Sequence, residues 1–376
     1  MARSNGVTDF DRRMMAAVLR LGRRNLGATR PNPAVGAILV RNDGGQPVVV
    51  GRGWTAAGGR PHAETEALRQ AGEAARGAIA YVSLEPCAHH GNTPPCSEAL
   101  VKAGVARVVY AMEDPDPRVA GKGRAVLESA GIEVTSGVLR EEAARDHAGH
   151  ISRVTRGRPH VILKLAVSAD GMIGRREGER MMITSPPALT AVQAMRAEMD
   201  AVAVGIGTVL VDDPRLTVRL KGLEGRSPLR VIFDATARLP LQSKLVTSAR
   251  EVPVAVIAGP EAPTERKEAL AEAGVRIVEV GGNGSGGVDL EEGFRRLAEM
   301  DVTRILVEGG SRVASSLVAA DLVDEAVLFR AEVVVGPDGV RALDGYALSA
   351  IERSPRYRQI DAAIVGDDQM RRYIRA

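Results

Sequence analysis

The sequence contains GGRPHAETEAL at residues 58–68 and, after a short apolar run, LEPCAHHGNTPPCSEAL at residues 84–100. The first segment predicts a helix over residues 62–71. The apolar run at 78–84 predicts a buried strand, and the second segment opens a further helix over residues 96–103. A buried strand between two helices is typical of a layered α/β domain, so these segments indicate the fold of the first half.

Four side chains in the two segments have the types that a hydrolytic deaminase requires. Removal of an amine from an aromatic ring needs a strong nucleophile, which Zn²⁺ supplies by acidifying water at a site with three protein ligands and one open position. His62, Cys87 and Cys96 are the candidate zinc ligands. Glu64 is the candidate catalytic proton shuttle. Alone, an HxE pair is a weak signal and a cysteine is usually a small core residue. Together the four predict a zinc-dependent deaminase.

The surrounding sequence extends this α/β pattern over residues 1–150. A helix is predicted over 8–26, and two strands, 33–40 and 47–54, are joined by the hairpin signal NDGG. A strand at 105–112 and a helix and strand within 126–134 follow. The basic segment at 151–158 interrupts the pattern and is predicted to be a linker.

Residues 159–376 also alternate between strand and helix patterns, which predicts a second α/β domain. A long strand is expected over 161–173 and a helix over 187–199. Further strands are expected at 201–209, 229–234, 252–259, 275–280 and 304–310, and further helices at 264–273, 289–300 and 312–320. The segment GGNGSGG at 281–287 is interpreted as a flexible turn without chemistry.

Nucleotide binding is weakly indicated in the second half. No GxGxxG follows its first strand, and the GxG of VGIGTV is more often a tight strand-to-helix turn. EGGSRVASS at 308–316 is more informative, because a helix that begins near Arg312 would direct free backbone NH groups at a phosphate. A plain glycine turn remains the alternative.

Composition limits the classes of function. A chain of 376 residues is long enough for two domains. Nucleic-acid binding needs aromatic side chains for base stacking and positive charge for phosphate contacts. A chain with 3% aromatic residues and a net charge of only +3 is therefore not expected to have nucleic acid as a partner. No apolar run is long enough to cross a membrane, and the polar start of the chain lacks a secretory signal, so a cytoplasmic location is expected.

Four segments resemble the deaminase half of the bifunctional riboflavin-biosynthesis deaminase/reductase family: PNPAVGAILV, GGRPHAETEAL, LEPCAHHGNTPPCSEAL and DPDPRVAGKG. The eight residues AHHGNTPP between the cysteines are the hallmark of that family. The resemblance implies a cytidine-deaminase-like three-layer α/β/α domain with zinc on the three proposed ligands. It also implies that Asn32 and His89 face the substrate. The sequence departs from the family at Thr55, where histidine is frequent, and at Asp116, where asparagine is expected.

The second half resembles the reductase half of the same family through KLAVSADG, ITSPPA, VGIGTVLVDDPRLTVR, RVIFD and LVEGGSRVASS. This implies a dihydrofolate-reductase-like α/β domain that uses NADPH. The implied cofactor-binding residues are Ala166, Thr208, Asp212, Gly310, Ser311, Arg312, Val313, Ala314, Ser315 and Ser316. The implied substrate-binding residues are Arg196, Leu216, Arg219 and Glu308.

Lys164, Asp212 and Glu308 are polar groups that could deliver a proton in the reduction, and the sequence does not rank them. Departures from the reductase pattern are Met182 for tryptophan, Leu189 for arginine and Ala235 for serine.

The resemblance implies two consecutive reactions on a small phosphorylated pyrimidine. Zinc-dependent hydrolytic deamination of 2,5-diamino-6-(5-phosphoribosylamino)pyrimidin-4-one would precede NADPH-dependent reduction to 5-amino-6-(5-phosphoribitylamino)uracil. Family analogy also suggests a homo-oligomer. Two alternatives are a deaminase with an inactive reductase-like domain and a nucleic-acid-editing deaminase with a binding module.

Overall fold

A computed structural model describes residues 7–90, 94–175 and 181–376. The chain forms two units, one that ends at Gly157 and one that begins at Arg158. Within the described residues no helix is both long and apolar enough to cross a membrane. The units are described separately below.

The first unit is built on a five-stranded sheet in the order β2-β1-β3-β4-β5. Its strands are β1 (Gly36–Asp43), β2 (Gln46–Trp54), β3 (Ile79–Val82), β4 (Arg107–Tyr110) and β5 (Glu133–Ser136). Its helices are α1 (Asp9–Arg23), α2 (Ala63–Ala71), α3 (Cys96–Ala103), α4 (Lys122–Ser129), α5 (Arg140–Asp146) and α6 (Ala148–Arg156). Strands β3, β4 and β5 are parallel, whereas β1 is antiparallel to both of its neighbours.

The predicted hairpin forms between β1 and β2. Gly44 and Gly45 both have positive φ, at 62° and 86°, as a two-residue hairpin turn requires. Gly36 pairs with Trp54 and Gly53 pairs with Ala37, so the two glycines point to opposite faces of the sheet. Gly36 lies against α1 and Gly53 against α2. Helices therefore cover both faces, and the three-layer prediction is confirmed.

The segment that was expected to be a linker, residues 151–158, is helical as far as Arg156. Helix α6 ends at Gly157, which adopts the left-handed φ of 66° that is common where helices stop. Gly157 therefore marks the end of a helix and not a linker. Strand β6 begins at His160.

The second unit is built on a nine-stranded sheet in the order β11-β10-β9-β8-β12-β6-β13-β16-β15. The strands of this unit are β6 (His160–Val167), β7 (Met172–Arg175), β8 (Ala201–Gly205), β9 (Leu229–Phe233), β10 (Val254–Ala258), β11 (Arg276–Glu279), β12 (Arg304–Glu308), β13 (Glu325–Arg330), β14 (Gly339–Arg341), β15 (Tyr357–Val365) and β16 (Asp368–Arg375). Its helices are α7 (Pro186–Ala197), α8 (Ile206–Asp212), α9 (Lys244–Thr247), α10 (Thr264–Glu272), α11 (Leu290–Glu299), α12 (Ser311–Ala319) and α13 (Ser349–Glu352).

The strands from β11 to β13 in this order are parallel, and β16 and β15 continue the sheet in antiparallel pairing. Strands β8, β9 and β10 are buried along their whole length, as expected for a parallel sheet covered on both faces. Strands β7 and β14 form a separate pair. The carboxyl ends of the parallel strands lie at one edge of the sheet, where ligands of such folds usually bind.

Two predicted strands are shorter in the structure. The strand expected over 161–173 stops at Val167 and resumes as β7 after a turn at Gly171, whose φ is 82°. The strand expected over 201–209 stops at Gly205, because residues 206–212 form α8. The GxG of VGIGTV is therefore a strand-to-helix turn.

Candidate active sites

The three predicted zinc ligands come together in the first unit. His62 is the residue before α2, Cys87 lies in the loop after β3, and Cys96 is the first residue of α3. Their ligand atoms all lie within 4.8 Å of one another, and His62 Nδ1 is 3.8 Å from Cys87 Sγ and 3.4 Å from Cys96 Sγ. One nitrogen and two sulfur donors suit Zn²⁺ and leave a fourth position for water or substrate. No other such group was found among the described histidine, cysteine and acidic residues.

Glu64 lies in the first turn of α2 beside these ligands and is 4% exposed. Burial, together with the nearby Cys87, raises the pKa of Glu64 to about 7. The Cys96 thiol and His62 lower the pKa of Cys87 to about 4, which favours a thiolate that can bind a metal. A carboxyl group with a pKa near neutrality can both accept and release a proton, as a shuttle must.

Helix α2 is positioned by glycines in β2. A Cβ atom on Gly53 would lie 2.2 Å from the carbonyl oxygen of Ala63, and one on Gly51 would lie 2.2 Å from that of Ala67. Helix and strand can therefore approach this closely only because both positions lack a side chain. This approach fixes the two residues on either side of Ala63, which are His62 and Glu64.

Hydrogen bonds from neighbouring residues fix the cysteine loop. The backbone NH and the hydroxyl of Ser97 both donate to the carbonyl oxygen of Cys87, at 3.1 and 3.0 Å. The buried Glu85 accepts from the backbone NH groups of Gly121 and Arg124, at 3.0 and 3.1 Å. Glu85 thus ties the residues before Cys87 to the start of α4. This role of Glu85 was not predicted from the sequence, where a polar residue at the end of a buried strand was the available signal.

The two predicted substrate residues of this unit differ in placement. Asn32 is half-buried, and its side-chain NH₂ donates to the carbonyl oxygen of Gly59, 2.9 Å away and three residues before His62. His89 is exposed in the loop that follows Cys87. Residues 91–93 of that loop lie outside the described residues. The adjacent His90 pairs with Glu98 on the surface, at 3.0 Å.

The departures at Thr55 and Asp116 have partners within the protein. Thr55 is buried, and its hydroxyl accepts from the NH of Val35 at 3.0 Å and donates to the carbonyl oxygen of Pro33 at 3.1 Å. Asp116 pairs with Arg118, whose hydrogen bonds lower the pKa of Asp116 to about 2. Thr55 therefore holds the strand that follows Asn32, and Asp116 is an anion that is already paired.

The second unit contains a cavity of about 1600 Å³ at the carboxyl ends of β6, β8, β9 and β12. Most of the predicted site residues line it: Ala166, Arg196, Thr208, Asp212, Leu216, Arg219, Glu308, Gly310, Ser311, Arg312, Val313 and Ser316. Ala314 and Ser315 do not line it. Both are buried, because the turn of α12 directs them into the protein, and the Ser315 hydroxyl donates to the carbonyl oxygen of Ser311 at 2.7 Å.

Charged groups cluster at one end of this cavity. Arg196 and Glu308 form a two-pronged ion pair, with Arg196 Nη2 2.8 Å from Glu308 Oε2, and Arg196 also donates to the carbonyl oxygen of Thr217 at 3.0 Å. Burial would raise the pKa of Glu308, but Arg196, Lys164 and Arg219 outweigh it and lower that pKa. Burial lowers the pKa of Lys164. Glu308 is therefore held as a carboxylate among cations that can bind a phosphate.

The loop after α8 has an unusual backbone. Asp213 and Leu216 adopt positive φ values of 39° and 54°, and the Leu216 side chain is buried. The fully buried Arg230 donates to the carbonyl oxygen of Arg215 at 3.2 Å and to that of Ser248 at 3.0 Å. Arg230 thereby supports the strained loop that lines the cavity. In the sequence, Arg230 is one residue of a predicted strand, and no local pattern indicates this role.

The predicted phosphate cradle corresponds to a turn between β12 and α12 that lines the cavity. Gly309 and Gly310 have φ values of 67° and 87°, and a Cβ atom on Gly310 would lie 3.1 Å from Thr208 Oγ1. The open NH groups at the start of α12 can therefore face a phosphate in the cavity. This donor set fits a dinucleotide cofactor.

The GGNGSGG segment, interpreted from the sequence as a turn without chemistry, lies beside the cavity. Asn283, Gly286 and Gly287 line the cavity. Asn283 Oδ1 accepts from the NH groups of Ser285 and Gly287, at 3.0 and 2.9 Å, which shapes the loop. Composition alone could not place this segment beside the other strand ends. The three departures in this half, Met182, Leu189 and Ala235, also line the cavity.

Both units match known protein families. Residues 8–112 match the family model for the cytidine and deoxycytidylate deaminase zinc-binding region, and residues 159–368 match that for the RibD C-terminal domain. The riboflavin biosynthesis protein RibD of Aquifex aeolicus is 37% identical over 96% of this chain and 98% of that protein. RibD of Escherichia coli is 38% identical over 95% of this chain and 97% of that protein.

The chain belongs to the RibD family.

Solved RibD structures have the same two-unit fold. Acinetobacter baumannii RibD, 37% identical, matches 97% of this chain and 99% of its own with a TM-score of 0.84. The second structure is a diaminohydroxyphosphoribosylaminopyrimidine deaminase/5-amino-6-(5-phosphoribosylamino)uracil reductase from Thermotoga maritima. It is 32% identical and matches 97% of this chain and 99% of its own, with a TM-score of 0.83. The expected fold class is confirmed for both units.

As a RibD protein, the chain is a bifunctional riboflavin biosynthesis enzyme, a zinc-dependent deaminase fused to an NADPH-dependent reductase. The nucleic-acid-editing and inactive-reductase alternatives are not favoured.

Proposed function

We propose that the first unit hydrolyses the 2-amino group of 2,5-diamino-6-(5-phosphoribosylamino)pyrimidin-4-one and that the second unit reduces the deaminated product to 5-amino-6-(5-phosphoribitylamino)uracil. The observation that carries the proposal is one chain with two different sites. The His62, Cys87 and Cys96 group adjoins the buried Glu64, and the cavity of the second unit combines a phosphate cradle with the Arg196–Glu308 pair.

In the deamination, His62, Cys87 and Cys96 would hold zinc. Bound zinc supplies a strong nucleophile at neutral pH by acidifying water. A carboxylate oxygen of Glu64 would take one proton from the attacking water and deliver it to the departing amino nitrogen. The water oxygen bonds to the ring carbon, the bond from that carbon to the amino nitrogen breaks, and ammonia leaves. The second proton of the water ends on the neighbouring ring nitrogen as the carbonyl group forms. The near-neutral pKa of Glu64 supports both proton transfers.

In the reduction, NADPH supplies a hydride to C1′ of the ribosyl group, and the residues of the cavity bind and orient the substrate. Arg219 lines the cavity and is placed to bind the substrate phosphate, because a guanidinium group pairs two oxygens at once. Arg196 already pairs with Glu308 and the carbonyl oxygen of Thr217, so it orients Glu308 and adds positive charge beside the phosphate. Leu216 would contribute its backbone, since its side chain is buried.

The sugar ring oxygen must gain a proton when the ring opens. Lys164 is the donor that we favour among the three candidates, because its lowered pKa makes the ammonium group a better acid, whereas Glu308 is held ionised.

Incubation of the purified chain with the diaminopyrimidinone phosphate, followed by mass spectrometry, tests both steps. Without NADPH we expect only the deaminated product, and with NADPH we expect a product that has gained two hydrogens. A deaminated product that never gains them would leave a deaminase with an inactive second unit. Cytoplasmic location and homo-oligomeric assembly stay predictions.

A further inference from the structure

The cavity of the second unit has a second cationic end, away from Lys164 and Glu308. Lys164 lies on β6 and Glu308 at the end of β12, whereas Ala235 and Arg238 follow β9. In the sheet the order is β9-β8-β12-β6, so β9 lies three strand intervals from the strand of Lys164 and two from that of Glu308. At the usual strand spacing these separations are about 14 and 10 Å, and the longer one matches an extended dinucleotide better than a small substrate.

The direction of a bound dinucleotide follows from this order. Its pyrophosphate would lie at the Gly309–Ser311 cradle near the middle of the cavity. Its reactive nicotinamide must face the substrate cluster around Glu308. The adenosine half is therefore directed past β8 toward β9, where Arg238 lines the cavity.

The backbone around Arg238 is held in place. Ala237 is fully buried with a positive φ of 54°, a strained conformation for alanine. Arg266 donates to the carbonyl oxygens of Ala237 and Leu239, at 3.1 and 2.8 Å, and Asp234 Oδ2 accepts from the NH of Leu239 at 2.8 Å. Bonds on both sides of Arg238 thus hold its backbone at this edge of the cavity.

The guanidinium group of Arg238 is available for a ligand. Its side chain is 57% exposed, and its Nε lies 3.9 Å from Asp234 Oδ1, beyond hydrogen-bonding distance. Lys244 also lines this end, but its Nζ already lies 3.3 Å from the carbonyl oxygen and 3.4 Å from the carboxylate of Asp213. Arg312 is the second residue of α12 and so lies with the cradle for the pyrophosphate.

We propose that Arg238 binds the 2′-phosphate of the adenosine half of NADPH and thereby selects NADPH over NADH. This inference rests on the proposed reduction and adds to it the residue that recognises the cofactor. The planar guanidinium group can bind two oxygens of a phosphate monoester, and NADH carries a hydroxyl group at that position.

Titration calorimetry on the full-length chain tests the proposal without turnover. The probes are adenosine 2′,5′-bisphosphate and 5′-AMP, which differ only in the 2′-phosphate. In Arg238→Ala we expect the Kd for the bisphosphate to rise roughly 10- to 100-fold and the Kd for 5′-AMP to stay unchanged. In Arg238→Lys the Kd for the bisphosphate should lie between those of the parent and Arg238→Ala, because an ammonium group retains the charge without the planar pairing.

Two further variants serve as controls. Arg312→Ala should weaken the binding of both probes, since it removes a contact to the 5′-phosphate that they share. Arg295→Ala removes an exposed arginine of α11 outside the cavity and should leave both Kd values unchanged. In turnover, Arg238→Ala should raise KM for NADPH and leave KM for NADH and both kcat values unaltered. Retained deamination and 5′-AMP binding report that the variant is folded.

The assignment would be overturned if Arg238→Ala raised the Kd values of both probes equally or changed neither of them. A parent protein that binds the two probes equally well would overturn it as well. The proposed reduction fails separately: a parent that prefers the bisphosphate and loses that preference in Arg238→Ala, yet never oxidises NADPH with the deaminated substrate, keeps the Arg238 site and loses the reductase activity.

Discussion

The α-carbon of Gly53 lies so close to the carbonyl oxygen of Ala63 that a Cβ atom on Gly53 would come within 2.2 Å of that oxygen. Ala63 stands between the zinc ligand His62 and the proton shuttle Glu64. The packing of β2 against α2 therefore sets the position of both functional side chains.

Gly53→Ala should displace the start of α2 and impair the zinc site. Overpacking of this kind typically costs about 1–3 kcal/mol of stability. We expect lower zinc content by metal analysis and slower deamination, while reduction of the pre-deaminated substrate continues. Gly225→Ala is the matched control, because no atom lies within 4 Å of the added Cβ. Full zinc occupancy and a parental deamination rate in Gly53→Ala would contradict this role.

Glu64→Gln should abolish proton transfer without removing the metal. The amide has the shape of the carboxyl group but cannot accept the proton from water. Deamination should fall by roughly 10²- to 10⁴-fold, the usual contribution of general acid–base catalysis. Zinc content and reduction of the pre-deaminated substrate should match the parent. Deamination at the parental rate would show that another group moves the proton.

The three zinc ligands and Glu64 could be predicted from the sequence, because a zinc deaminase requires these residue types and they occur at short spacings. His62 and Glu64 share one helix start, and each cysteine lies next to a predicted element. Glu85 and Arg230 could not be ranked in the same way. Their roles depend on hydrogen bonds to backbone groups far along the chain, and those distances exist only after folding.

The end of the second half shows a different limit. No element was predicted after residue 320, yet β13 to β16 lie there. Strand β15 is exposed along most of its length, so it lacks the apolar alternation that indicates a half-buried strand. The helix that was expected near 312–320 and the strand before it were correct, because both carry strong apolar patterns that the core requires.

Arg196→Met should shift the pH dependence of the reduction. Arg196 opposes the effect of burial on Glu308, so its removal raises the pKa of that carboxyl group. Glu308 is ionised only above its pKa, and the acid limb of kcat/KM should therefore move to higher pH. Because the change leaves a buried carboxylate with fewer partners, a cost of about 3–5 kcal/mol is expected.

Arg196→Lys retains a positive charge and should keep the acid limb of the reduction near that of the parent. Deamination provides the internal control in both variants, since Arg196 lies in the second unit. An acid limb that stays in place in Arg196→Met would show that ionised Glu308 is not needed for the reduction.

Asp324→Asn should change how the second unit responds to acid. Asp324 is 3% exposed, lies 2.9 Å from Arg158 Nη2 and accepts from the NH of Val161 at 2.9 Å. Burial would raise the pKa of Asp324, but Arg158 and His160 outweigh it and lower the pKa below that of the unfolded chain. The carboxylate therefore stabilises the fold fully above the unfolded pKa of about 4, and this contribution is lost as pH falls through the lower folded pKa.

Calorimetric unfolding from pH 7 to pH 2 checks this expectation. Asp324→Asn should lower Tm at pH 7, because Arg158 is left buried beside a neutral amide, a change worth about 3–5 kcal/mol. Its Tm should then depend less on pH below about 4 than that of the parent, since the titrating group is gone. Asp361→Asn, an exposed change on β15, should follow the parent curve. If Asp324→Asn and the parent lose Tm in parallel below that pH, the acid sensitivity arises from other carboxylates.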